Sequence, residues 1–139
     1  MITRDFILRQ VQQMVAALSR VMLRREAMEY HMAQDILSQT IQEVTGSDVE
    51  KVRNMTAEDL LDLCSVNEVF YSDKAVALAD LLREDGFLQD AAGQLDAATL
   101  SWTRSVWLYE AASSAGGTVP LDLPSRLAEL RALLQSSEQ

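Results

Sequence analysis

Backbone punctuation is nearly absent from this chain. Its 139 residues include five glycines and two prolines, and three of these seven (Gly116, Gly117, Pro120) crowd into one short stretch. Short strands need frequent turn residues, so the sequence points instead to a few long helices. The length suits one domain, residues 1–139, and a chain this size buries about two-thirds of the surface that its unfolded form exposes. With 48% apolar residues a core can form without a disulfide or a structural metal.

The apolar residues recur with helical spacing. From Asp5 to about Arg25, Ile7, Val11, Met14, Leu18 and Val21 step by three and four along one face. Phe6, Leu8, Val15, Met22 and Leu23 widen that face beyond a surface stripe. A helix of this kind is expected to be covered on two sides. A second helix or a continuation runs to Val44, lined by Tyr30, Ala33, Leu37, Ile41 and Val44, and Gly46 supplies a left-handed stop. Residues 1–46 are thus expected to form a long helical arm.

Ser47 to Glu50 reads as a capping box, and Thr56 with Asp59 repeats the signal, so 47–71 is read as short helices or turns. Ser72 is the expected cap of a helix to about Glu84. Asp85-Gly86 reads as a break, followed by helices from Phe87 to about Ala98 and from Leu100 to Ser114. A clear loop follows at 115–120, and Asp122 caps a last helix carrying Leu123, Leu127, Leu130 and Leu134. Pro124 is tolerated in its first turn, where no amide needs a helical partner. The expected architecture is all-α, a bundle of about six helices, with residues 72–135 as a helix-hairpin body.

Between Ser72 and Ala98 the chain resembles a single tetratricopeptide-type helix pair. Leu78, Ala79 and Leu82 fall where that repeat has large, small and large residues; Gly86 falls at its corner, followed by Leu88, Ala91, Leu95 and Ala98. Small residues let antiparallel helices approach, and large ones fill the groove between them. Ala75 stands where an aromatic is usual, Thr103 where a proline closes the repeat, and an ordinary hairpin would carry the same pattern. The opening Asp5-Phe6-Ile7-Leu8-Arg9-Gln10-Val11-Gln12-Gln13-Met14 resembles the start of a small bacterial family of uncharacterised helical proteins. That resemblance implies a bacterial source and a helical fold, and no activity.

Charge narrows the partners. Residues 1–25 hold five arginines and one acid, net +4 in a chain whose total is −9, so residues 26–139 carry −13. An acidic body opposes nucleic acid, which calls for clustered Lys and Arg. No run approaches the roughly 18 apolar residues of a membrane span, and Asp5 with Arg9 interrupts any signal-peptide core. With Cys64 as the lone cysteine no internal disulfide can form, and a cytoplasmic address is expected.

Chemistry is sparse. His31, the one histidine, has Asp35 a turn later, a pair that could bind metal or act as a base in a small enzyme or sensor. A di-iron Glu-x-x-His pair is missing, because Met28 stands three residues before His31. Cys64 has only acids nearby in sequence (Glu58, Asp59, Asp62), an environment that suits a structural thiol. Glu84, Asp85 and Asp90 are read as solvated. Trp102 and Trp107, about 140° apart around a helix, cannot share a narrow face, so one is expected in the core and the other at a neighbour or an interface. No cofactor is expected. The functional expectation is a non-enzymatic protein-interaction module, binding a protein partner or itself as a homodimer. The candidate interface is Phe6, Val11, Met14, Leu18, Trp102 and Trp107.

Overall fold

The computed structural model describes residues 2–137, and over them the chain is mostly helical. Helix α1 (Ile2–Glu26) and α2 (Tyr30–Thr45) form a hairpin, followed by two short helices, α3 (Val49–Arg53) and α4 (Ala57–Leu63). A minimal antiparallel ribbon, β1 (Ser65–Val66) with β2 (Val69–Phe70), leads into α5 (Ser72–Ala91), α6 (Leu95–Ser114) and α7 (Leu123–Ser137). The count among the described residues is seven helices, not about six. Helix α5 is the hub: α1, α2 and α6 all pack on it, and α7 lies on α6. Over its described residues, segment 1–46 folds back as a hairpin against α5.

Local chemistry sets most boundaries. Gly46 ends α2 in the left-handed conformation, φ 75°, its N–H donating to the Gln42 carbonyl. Thr56 caps α4 by accepting from the Asp59 N–H at 3.2 Å. The cap of α3 is Asp48, not Ser47: its carboxylate accepts from the Lys51 N–H at 2.8 Å, while the Ser47 N–H is taken by Thr45 Oγ1. Helix α5 already includes Ser72, and Tyr71 precedes it with no side-chain cap. Between β1 and β2 the loop residues Asn67 and Glu68 both have positive φ, 52° and 67°. That is the backbone of a two-residue turn whose twist matches its strands.

The largest departure is at Asp85-Gly86, where no break occurs. Helix α5 continues through both residues for another turn and more, and the corner falls at Ala92–Gln94, with Gly93 at φ 77°. The tetratricopeptide-style corner at Gly86 is thereby overturned. Gly86 serves packing instead: a Cβ there would lie 2.1 Å from Trp102 Nε1 on α6. The indole donates to the Arg83 carbonyl at 3.3 Å and meets Phe87 edge-on, ring centres 5.7 Å apart. A glycine inside a helix costs about 0.5–1 kcal/mol, a cost offset by letting the N–H edge of the Trp102 indole reach the α5 backbone.

Gly86→Ala is therefore expected to destabilise the fold by about 3 kcal/mol through overpacking, measured by urea unfolding. Adding Trp102→Leu should recover part of that loss, because the clash is with the indole.

Candidate functional site

Two features of the molecule could carry function: a buried polar network inside it and an apolar face on its outside.

The network begins with two adjacent acids on α5. Glu84 and Asp85 are fully buried, not solvated as their sequence context suggests. Asp85 accepts from Arg53 of α3 through the guanidinium Nε and Nη2, at 2.7 and 3.0 Å, from Ser101 of α6 at 2.5 Å and from Gln34 of α2 at 3.3 Å. Glu84 accepts from Arg25 of α1 at 2.6 and 3.4 Å. Arg25 also lies over the Phe87 ring, 4.9 Å from its centre. Each carboxylate thus has a cationic partner in hydrogen-bond geometry, which burial of a charge demands. A second cluster joins α5, α6 and α7, where Asp80 accepts from Tyr109 and, at 2.8 Å, from Arg126. Burial pushes the Asp80 carboxyl up, against the opposing pull of Tyr109 and Arg126, and burial beside Asp80 pushes the Tyr109 phenol up as well. These groups are saturated by one another, and their chemistry is that of cross-links between helices.

The reactive-group candidates are placed apart. His31 and Asp35 are both exposed on α2. Among the described residues no group of three or more His, Cys, Asp or Glu is arranged to hold a metal ion. A cleft of about 350 Å³ beside His31 is lined by Tyr30, Gln34, Leu88 and Ala92, with no acid among its lining residues. Cys64 is buried, and burial lifts its thiol to about 12 despite the nearby Lys74 ammonium.

The outer face belongs to α1. The face read from sequence as one stripe is two adjacent seams. Ile7, Met14, Ala17 and Val21 are buried against α2 and α5. Leu8, Val11, Val15, Leu18 and Met22 step by three and four along the neighbouring seam; Leu8 and Val15 are 49% and 51% exposed, and the other three are half-buried. Leu23, 65% exposed, lies about 80° around the helix from Val15. Near the start of α1 a cleft of about 610 Å³ opens between Arg4, Leu8, Val69 and Gly117. Val69, itself exposed, continues the apolar surface onto the β-ribbon.

Of the six interface candidates, Val11 and Leu18 lie on the outer seam. Phe6 is exposed, but about 180° around the helix from Val15. Met14 and Trp102 are corrected: both are buried within the chain, Met14 in the inner seam and Trp102 over Gly86. Trp107 is half-buried, with the Arg104 guanidinium stacked 4.7 Å from its ring centre. Leu8, Val15 and Met22, read from sequence only as a widening of the stripe, make up most of the outer seam. Their signal was the seven-residue repeat at 8, 15 and 22.

No described helix is long and apolar enough to cross a membrane. Comparison with protein-family models, with curated proteins and with solved structures finds no match to this chain.

Asp85→Ala is expected to cost about 3–5 kcal/mol, because it strands the Arg53 guanidinium without its carboxylate; chemical denaturation reads this. Cys64 should resist iodoacetamide in the native protein at pH 8.5, where the raised thiol stays protonated, and react once urea exposes it and returns it to the ordinary value near 9.

Proposed function

We propose that this protein is a non-enzymatic helical interaction module that docks a protein partner on the outer seam of α1. The observation that carries the reading is the exposure of Leu8 and Val15, about half each, along one face of a 25-residue helix. Contiguous apolar surface on a soluble fold marks an interaction site more often than a scattered leucine does. An amphipathic helix presenting residues at i, i+3, i+7 is a standard recognition element for another helix. The acidic remainder of the chain disfavours nucleic acid as the partner. The resemblance of residues 5–14 to the start of a small bacterial helical family, and a cytoplasmic setting, belong to this same proposal.

The test is a photo-reactive side chain at Val15, introduced in the cells that make the protein, with the same probe at exposed Ala132 on α7 as control. Discrete polypeptide adducts are expected from position 15 and not from 132. A folded chain that gives none from position 15 overturns the reading, as does stoichiometric bound metal that His31→Ala removes.

A further inference from the structure

The outer seam of α1 is closed at each end by a charge of opposite sign. Arg4 lies at its start and Glu26 at its finish, both exposed and neither in an ion pair among the described residues. On a helix of 100° per residue the two project within about 40° of one another, in line with Leu8, Val15 and Met22. Between them α1 itself adds only Gln12 and Ser19 to the five apolar residues of this face, and Leu18 and Met22 border a cleft whose other walls are Asp80 and Arg83 of α5 and Asp122 and Arg126 at the start of α7. Of the other charges of α1, Arg24 pairs with Glu29 and Arg25 with Glu84, Arg9 and Arg20 fall on other sides of the helix, and exposed Asp5 lies at the edge of the face, about 60° around from Leu8.

From this pattern we infer that the occupant of the seam is a second copy of the same chain, with the two α1 helices antiparallel about a two-fold axis at Val15. The inference rests on the docking role proposed above and names its partner. Val15 lies beside the midpoint of α1, so the helices overlap along their full length. Position i of one copy then faces position 30 − i of the other. Val15 meets Val15, Leu8 meets Met22, and Arg4 meets Glu26 at both ends. A parallel pairing would set Arg4 against Arg4 and Glu26 against Glu26, two repulsions in place of two attractions. An isologous contact of this kind closes on itself and leaves no seam for a third copy. The inner seam stays in the core of each protomer, so association requires no refolding.

Charge reversal in the full chain tests the arrangement, read by sedimentation equilibrium and light scattering across the micromolar range. Arg4→Glu and Glu26→Arg are each expected to weaken the dimer about ten-fold, since each variant spoils two contacts. The double variant should return it to near the original affinity. Within one protomer these residues are about 33 Å apart along the helix, so only contact between copies restores binding in this way. Val15→Cys should give a disulfide-linked dimer on mild oxidation, whereas Leu23→Cys, about 24 Å from its symmetry mate along the helix axis, should not. A dimer in which the double reversal fails to recover overturns the antiparallel arrangement. A monomer throughout the range overturns the second copy as occupant; adducts from position 15 to a different polypeptide would in that case leave the docking role standing.

Discussion

The carboxylate of Asp85 has no contact with water, and satisfying it fixes the relative positions of four helices. Its partners come from α2, α3 and α6, while it rides on α5 itself. One residue earlier, Glu84 does the same for α1 through Arg25. Hydrophobic burial supplies most of the driving force for such a fold but has little directional preference. Charged hydrogen bonds have strict geometry, so two adjacent buried acids set register and angle where leucines alone would allow several packings. The choice of Gly86 as the next residue follows: with α6 held at Ser101, Trp102 must lie on the α5 backbone, where no Cβ can be accommodated.

This arrangement explains which parts of the molecule were legible in the sequence. Helix existence followed from apolar periodicity, and α1, α2 and α7 appear close to where that period places them. Stops and caps with a local mechanism, Gly46 and Thr56, were also readable. Asp85-Gly86 was not. A dipeptide that breaks a helix in isolation is held inside one here by Arg53, Ser101 and Trp102, residues 16 to 32 positions away, and local signals carry no record of such contacts. The ribbon at 65–70 was missed for a related reason. Its strands have two residues each, and Glu68 occupies a left-handed position where glycine would have advertised the turn.

The candidate site was legible in part. The excess of apolar surface on α1 is visible in composition and spacing, yet its division into an inner and an outer seam depends on where α2 and α5 lie. Val11 and Leu18 are interchangeable with Met14 on a helical period, and only the packed structure separates them. The indole of Trp102 and the thioether of Met14 had the right chemistry for a contact surface but are consumed by the protomer's own core.

The Arg25–Glu84 link has a mechanical consequence. Lifting α1 off the body would break both hydrogen bonds from Arg25 to Glu84 and leave that carboxylate only Arg83, at 3.9 Å, so the helix is latched at its C-terminal end. Exchange of α1 between chains, a common route by which helical proteins tangle, therefore faces a barrier that simple surface contact does not. Whatever meets α1 encounters a helix already packed on the body, and not a tether that must first be freed.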